Sequence, residues 1–473
     1  MKRAFSKKNL WENTPPLVKS AFGRVLGRIP SAWCLGRSFR ENSRFVLEAQ
    51  WWPAERARKY QLKRLREILT LAYENTIFYR RTFDMVGFHP HDLQSLDDMR
   101  RLPTINKQAV IDNLSDMCAK NVDARDVDFT STGGTSGVPL HFYINSDRSS
   151  VEYAYLTTSW GRIGYKLGMP MAVLRGRIVQ PERNGFRHEY DPILRHHYYS
   201  NFHMTDVNMK LYLKHIRTIG PCMFHAFPSS AQAFARFIIG MGEQVPQNII
   251  GVLLESENVY SDQVDDIEKA FGARAFSAYG HGEKCVFAAQ CEHTANYHVW
   301  PTYGYFELVD EQGTPLTLTG QEGEIVGTGF INTVIPFIRY RTGDRAIYVS
   351  DHCEECGREH VTIRDINGRG RQDGLIAADG SAVPIIGLYP HDDTFRYVRE
   401  YQFHQSVPGK AILCVVPIAP IDEMEQRRII TNMNKRLQGL VKLILEMRSE
   451  LAKTARGKQL RVIQKCRSST EQE

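Results

Sequence analysis

The sequence predicts an α/β fold: a large N-terminal domain of sheets flanked by helices, a β-rich subdomain, and a small α+β domain at the C-terminus. Three observations carry this expectation. From about Phe129 to Asp365, glycine-punctuated apolar runs alternate with helix-like segments, the pattern of helices laid over mainly parallel sheets. The run GYFELVDEQGTPLTLTGQEGEIVGTGF (304–330) breaks that pattern into short β-rich pieces separated by Gly and Pro, as antiparallel hairpins require. After Gly370 about 100 residues remain, enough for a small separate domain.

Taken in order, residues 1–115 read as a helical part of the large domain. Between Tyr60 and Tyr79, Leu62, Leu65, Ile68, Leu69, Leu71 and Ala72 recur at helical period. Pro103 and Thr104 close this part, and 107–114 again reads as helix. Residues 116–370 form the expected core, with strands in MAVLRGRIV (171–179) and NIIGVLLES (248–256) and a helix in SDQVDDIEKAFG (261–272) that starts at Ser261. Residues 371–473 are expected to form the C-terminal domain: a strand in AILCVVPI (411–418), a helix from Ile421 to Leu437, a strand in VKLILEM (441–447), then a basic tail.

The 473 residues are 42% hydrophobic, enough for a large core divided over two or three domains. The net charge of +7, from 60 basic and 53 acidic residues, suits anionic small-molecule substrates. No basic–aromatic motif marks a nucleic-acid partner. No apolar run approaches the roughly 20 residues of a membrane helix. The start, MKRAFSKKNLW, lacks the apolar core of a signal peptide, so a cytoplasmic location is expected. Its cluster Lys2, Arg3, Lys7 and Lys8 reads as a solvated tail in preference to a contact with an anionic membrane surface. Nothing in the pattern specifies an oligomeric state. Nine cysteines, an odd number, argue against a disulfide framework.

FTSTGGTSGVPLHF (129–142) is the most informative stretch. Ser131, Thr132, Gly133, Gly134, Thr135, Ser136 and Gly137 combine small residues, which let a phosphate approach the backbone, with hydroxyl donors and a potential anion-binding nest. The Lys-[Ser/Thr] ending of a Walker loop is missing. An ordinary surface loop is the competing reading of this stretch alone.

The loop resembles the phosphate-binding loop of the acyl-adenylating superfamily, with Val138 where many members carry Lys. Four further segments follow in that superfamily's order. SAYGHGEKC (277–285) resembles the Tyr-Gly-x-Thr-Glu motif, with Gly282 in place of the hydroxyl residue. The resemblance implies that Tyr279 and Gly280 lie against adenine and that Glu283 helps to hold Mg²⁺ on ATP, roles that an aromatic face and a hard carboxylate suit. FIRYRTGDRA (337–346) resembles the Tyr-Arg-Thr-Gly-Asp motif, implying that Asp344 accepts hydrogen bonds from the ribose hydroxyls. INGRGRQDGLI (366–376) resembles the interdomain Gly-Arg-x-Asp segment. In the register Gly370, Arg371, Asp373 it implies a nucleotide contact for Arg371 and a hinge at Asp373, and Gly368-Arg369 offers a second register. KTARGKQLRVI (453–463) resembles the C-terminal Gly-Lys motif, which makes Lys458 the expected adenylation lysine.

The N-terminal segments WENTPPLVKSAFGRVLGR, QWWPAERARKYQLKRLREILTLAYENTIFYRRTF and LPTINKQAVIDN resemble the phenylacetate–CoA ligase branch of this superfamily, and within it CapK-like members associated with capsular and other surface polysaccharides. The resemblance covers nearly the whole chain. It implies the ANL adenylate-forming fold, with a mobile C-terminal domain. It also implies activation of a carboxylic acid by ATP as acyl-AMP and transfer to coenzyme A. Competing expectations are an amine, sugar or carrier acceptor, a nucleotidyl transfer of the coenzyme F390 synthetase kind, and a weakly catalytic scaffold in polysaccharide assembly.

A second constellation is separate from these motifs. Cys353 and Cys356 in CEECGRE, with Cys291 and His298 in AAQCEHTANYHVW, suit a tetrahedral structural Zn²⁺, an arrangement some members of the branch share. His293 competes with His298 as the fourth ligand. Free thiols on a turn, and a His298 facing the substrate site, are the alternatives.

Overall fold

The structure, a computed structural model, describes residues 27–132, 140–177, 179–182, 185–368, 374–384, 388, 393–395, 397–417, 420–452 and 462–466. The chain begins with helices α1 (Ser31–Cys34), α2 (Gly36–Ala49), α3 (Ala54–Asn75) and α4 (Ile77–Met85). The apolar periodicity between Tyr60 and Tyr79 is therefore divided between two helices. Thr76 is the cause: its backbone is extended, its hydroxyl donates to the Ala72 carbonyl at 2.8 Å and accepts from the Tyr79 N–H at 3.2 Å. One side chain thus ends the first helix and caps the second. Buried Tyr79 then donates to the Pro336 carbonyl at 2.8 Å, fastening the helical layer to the sheet. Short helices α5 (Lys107–Asp112) and α6 (Leu114–Met117) follow.

Strands β1 (Val127–Ser131) and β2 (His141–Asn145) form an antiparallel pair, and helix α7 (Arg148–Trp160) leads into the main sheet. Its strands are β3 (Met171–Leu174), β4 (His188–Asp191), β5 (His196–Tyr199), β6 (Cys222–Ala226), β7 (Ile249–Leu254) and β8 (Arg274–Gly280), then β9 (Phe287–Gln290), β10 (Tyr297–Val299), β11 (Gly304–Val309), β12 (Glu322–Gly329), β13 (Tyr340–Ser350) and β14 (Thr362–Asn367). They make one 12-stranded sheet in the order β11-β12-β13-β14-β10-β9-β8-β7-β6-β3-β5-β4. Strands β5, β3, β6, β7 and β8 are parallel, linked in part by helices α8 (Asp206–Ile216), α9 (Pro228–Gly240) and α10 (Ser261–Phe271). Burial of both sheet faces accounts for the nearly continuous apolar composition of β3, β6 and β7. The hairpin region expected at 304–330 forms, but as a continuation of the parallel block: β8 pairs parallel with β7 and antiparallel with β9.

A short hairpin, β15 (Gly374–Ile376) and β16 (Ala382–Pro384), precedes a four-stranded sheet of β17 (Val398–Val407), β18 (Lys410–Pro417), β19 (Lys442–Met447) and β20 (Val462–Gln464), ordered β19-β18-β17-β20. Helix α11 (Glu423–Leu437) buries Ile429, Met433 and Leu437 in the same apolar cluster as this sheet. Asp422 caps it by accepting from the Glu425 N–H at 2.8 Å. Phe202, from the large sheet's side of the chain, is buried in this C-terminal core, and Arg187 donates to Gln438 Oε1 at 2.9 Å. The α/β class and the large-plus-small architecture expected from the sequence are what the structure shows. No helix among the described residues is long and apolar enough to cross a membrane. The basic cluster at Lys2 to Lys8 lies outside them.

Candidate active site

Because β3, β6, β7 and β8 run parallel, their carboxyl ends meet along one edge, where open α/β sheets place ligands. Arg175 follows β3, His225 lies near the end of β6, Glu255 to Asn258 follow β7, and Tyr279 lies near the end of β8. Arg175 donates to Glu255 Oε2 at 2.9 Å, to His225 Nε2 at 2.6 Å and to the Ser256 hydroxyl at 2.7 Å, while Trp160 Nε1 donates to Glu255 Oε1 at 3.1 Å. Burial opposes the Glu255 charge, but His225 and Arg175 outweigh it and hold the carboxyl at about 2. Burial and then Arg175 push the His225 pKa down, while Glu255 works against them. The polar wall that results includes His225 of the segment HAFPSSAQAF (225–234).

Beside it, β8 ends in a turn closed by the Lys284 N–H on the His281 carbonyl at 3.1 Å, with Lys284 at φ 61°. This turn presents Glu283, which is buried. Its Oε1 accepts from the Tyr340 hydroxyl at 2.8 Å and its Oε2 lies 3.1 Å from His281 Nδ1. The Val286 N–H approaches His281 Nε2 at 3.2 Å, which assigns the imidazole proton to Nδ1 and lets it donate to Glu283. Burial alone would raise the Glu283 pKa. The His281 and Tyr340 hydrogen bonds reverse that and bring it to about 2.

Tyr279 donates to Asp344 Oδ2 at 2.8 Å. Asp344 sits in a distorted stretch of β13, where Gly343 takes φ 76° and the pairing with β12 shifts register between Glu324 and Val326. Thr342 donates to the Ile325 carbonyl at 2.8 Å and accepts from the Asp344 N–H at 3.1 Å. The bulge re-aims the Asp344 carboxylate off the regular ladder. Asn258 holds Gly368 from both sides, accepting from its N–H at 3.0 Å and donating to its carbonyl at 3.4 Å. A Cβ on Gly368 would lie 2.9 Å from Asn258 Oδ1 and 3.5 Å from Asp344 Oδ1.

Ser131 and Thr132, both buried, end β1. Thr132 and Leu140 exchange hydrogen bonds, backbone to backbone at 2.9 Å and Leu140 N–H to the Thr132 hydroxyl at 3.2 Å, so the ends of the glycine-rich loop are held together. Thr132 packs directly on Gly282: a Cβ there would lie 3.0 Å from Thr132 Cγ2. The space that a hydroxyl residue would take at 282 is thus partly filled by Thr132. Gly133, Gly134, Thr135, Ser136 and Gly137 lie outside the described residues, as do Arg371, Asp373 and Lys458.

Structure thus brings together Thr132, Tyr279, Gly280, Glu283 and Asp344, which the sequence separates by more than two hundred positions. Sequence reading missed Tyr340 and His281 as partners of Glu283, and Asn258 as the clamp on Gly368. Tyr340 is the first residue of the Tyr-Arg-Thr-Gly-Asp motif, so a signal was present for it.

Away from this edge, Cys291, His298, Cys353 and Cys356 place one ligand atom each within 4.8 Å of the others. Cys291 Sγ lies 3.9 Å from Cys353 Sγ, and Cys356 Sγ 3.5 Å from His298 Nε2. Zinc bonds of about 2.3 Å to sulfur and about 2.0 Å to nitrogen give tetrahedral edges of about 3.8 Å and about 3.5 Å. His298, and not His293, completes the group: His293 contributes its backbone N–H, 3.4 Å from Cys291 Sγ. Half-buried Arg162, which donates to the Ala289 and Gln290 carbonyls at 2.9 and 2.8 Å, stands beside the cluster.

No protein-family model matches the chain. It is 23% identical to the protein CapK of Staphylococcus aureus over 362 residues, which cover 75% of this chain and 77% of that protein. It is 24% identical to a phenylacetate–coenzyme A ligase of Thermus thermophilus over 353 residues, 72% of this chain and 75% of the ligase. An open-conformation crystal structure of 2-hydroxyisobutyryl-CoA ligase, bound to 2-HIB-AMP and CoA, covers 88% of this chain and 93% of its own, with a TM-score of 0.56 and 21% identity, which shows a shared fold. These likenesses and the order of the motifs agree: the chain is similar to the adenylate-forming superfamily, in the branch of phenylacetate–coenzyme A ligase and CapK.

Proposed function

We propose that the protein is an AMP-forming acid–thiol ligase: it activates a carboxylic acid with ATP as acyl-AMP and transfers the acyl group to coenzyme A. The observation that carries this reading is the meeting of Thr132, Tyr279, Glu283 and Asp344 at one sheet edge, with Glu283 kept ionised by Tyr340 and His281.

In the first step a substrate carboxylate oxygen bonds to the ATP α-phosphorus and the bond to pyrophosphate breaks. Asp344, oriented by Tyr279, accepts from the ribose hydroxyls. Ser131, Thr132 and the loop through Gly137 offer N–H and O–H donors to the phosphates, and Lys458 offsets charge on the carboxylate and α-phosphate. Glu283 fits as a Mg²⁺ ligand, being an ionised hard oxygen donor, and Mg²⁺ would neutralise phosphate charge there. In the second step the coenzyme A sulfur bonds to the acyl carbon, its proton is lost, and AMP leaves. Movement of the C-terminal domain about Asp373, with Arg371 on the nucleotide, would exchange Lys458 for the thiol between steps. The wall of Arg175, His225 and Glu255 is the proposed border of the acid pocket. A structural Zn²⁺ on Cys291, His298, Cys353 and Cys356 fits the measured sulfur and nitrogen spacings and would tie β9 and β10 to the turn before β14.

Pyrophosphate release from Mg-ATP, measured across aryl, fatty, amino and sugar acids with and without coenzyme A, tests this reading beside Lys458→Ala. Acid-dependent release that the substitution abolishes, followed by coenzyme A-dependent AMP formation, is the expected result. Folded, ATP-binding protein that releases no pyrophosphate with any acid would overturn it in favour of nucleotidyl transfer or a scaffold.

A further inference from the structure

A second cluster of imidazoles lies apart from both the active-site edge and the cysteine group. His188 on β4, His197 on β5 and His215 on the last turn of α8 place ring nitrogens within 4.8 Å of one another. In the antiparallel register His188 faces Tyr199 and Tyr190 faces His197, so the two histidines are diagonal neighbours on one face of the hairpin. His188 Nε2 lies 3.0 Å from His197 Nδ1, close to the edge of about 3.3 Å that two imidazoles span on a tetrahedral ion with bonds of about 2.0 Å. The His188 and His215 ring centroids are 4.4 Å apart.

The outer nitrogens are already held. His215 Nδ1 lies 2.7 Å from the Tyr199 hydroxyl, and His188 Nδ1 lies 3.8 Å from the Glu182 carboxylate. This leaves Nε2 of His188 and His215, together with Nδ1 of His197, for the centre, and outer partners of this kind orient metal-binding histidines. Aromatic rings line the surroundings: Phe186 stacks on His188 at 5.5 Å and Tyr190 packs on His197 at 4.6 Å. Burial first, and then the neighbouring imidazoles, push His188 to about 3 and His197 to about 4. The three rings therefore bring one nitrogen each to a single place.

We infer that His188, His197 and His215 form a site for one divalent transition-metal ion of the zinc type, clamping the edge hairpin β4–β5 onto helix α8. Imidazole donors select this class over calcium or magnesium.

The test uses the full-length, chelator-treated protein and cobalt(II) or zinc(II) as probes. Cobalt at a nitrogen-only site gives visible ligand-field bands without the intense sulfur-to-cobalt charge-transfer band of a thiolate site. Cys353→Ser/Cys356→Ser should bind about one equivalent with the former signature alone. In that background, His188→Gln and His197→Gln should lose it, and Tyr199→Phe should weaken it about tenfold. In the otherwise unchanged chain, the same histidine variants should lose only the ligand-field component and about one equivalent of zinc, which covers the case of a cysteine variant that does not fold. Unchanged cobalt spectra and zinc affinity in His188→Gln and His197→Gln, or no nitrogen-only component in any protein, would overturn the site. Either result is read separately from the cysteine cluster, whose charge-transfer band is its own signature.

Discussion

The Tyr340 hydroxyl donates to Glu283 Oε1 at 2.8 Å, joining the strand that carries Asp344 to the turn that follows Tyr279. With His281 on the other oxygen, the carboxylate is fixed before any ligand arrives. Tyr340→Phe removes one hydrogen bond to a charge, typically about 1.5–3 kcal/mol. Acid-dependent pyrophosphate release should fall about tenfold or more, while far-UV circular dichroism stays unchanged.

The same group makes stability depend on acid. Glu283 is held at about 2, below the ordinary value of 4.5, so its contribution is present above that ordinary value and is lost as pH falls from about 4.5 towards 2. The stability of the wild-type protein relative to Glu283→Gln should decline through that window and be constant above it. Urea unfolding at several pH values measures this, and a difference that stayed flat down to pH 3 would contradict it.

Gly282 and Thr132 should behave as a coupled pair. A Cβ at 282 meets Thr132 Cγ2 at 3.0 Å, so Gly282→Ala should destabilise by about 1–3 kcal/mol, the usual cost of overpacking. Thr132→Ser deletes that methyl and keeps the hydroxyl that Leu140 uses. A double-mutant cycle should therefore show recovery of most of the loss, and simple additivity would refute the contact.

Arg339 and Glu307 form a buried two-pronged ion pair, Nε to Oε2 at 3.0 Å and Nη2 to Oε1 at 2.9 Å, with side chains 4% and 3% exposed. Arg339 also donates to the Leu102 carbonyl at 2.5 Å. Glu307→Gln leaves a buried guanidinium unpaired and should cost about 3–5 kcal/mol in urea unfolding. The Arg339→Met/Glu307→Gln double variant should lose less than the two single variants summed.

Removal of metal gives a fifth contrast. Chelation, or Cys353→Ser/Cys356→Ser, should lower the thermal midpoint and release the zinc of the cysteine cluster. Arg162 should then lose part of the charge balance that Cys356 and Cys291 supply, which a steeper salt dependence of the midpoint would register.

The sequence by itself determined the branch, the α/β class and the identity of most candidate groups. It could do so because those properties are local: a glycine–hydroxyl run, a Tyr-Gly turn, a Thr-Gly-Asp bulge and a Cys-x-x-Cys turn each need certain residue types at fixed short spacing. It also showed the strands β7 and β18 and the helices α10 and α11, whose apolar periods are strong. Tertiary structure alone decided the rest, because distances between remote segments depend on sheet order and register. Periodicity did not divide the Tyr60–Tyr79 pattern at Thr76, since that break is made by one hydroxyl bonding in both directions. Residue type did not choose between His293 and His298, which differ only in whether a strand aims the ring at the thiols. Nor did spacing unite His188 and His197 with His215, whose convergence exists only when the edge hairpin folds against its helix.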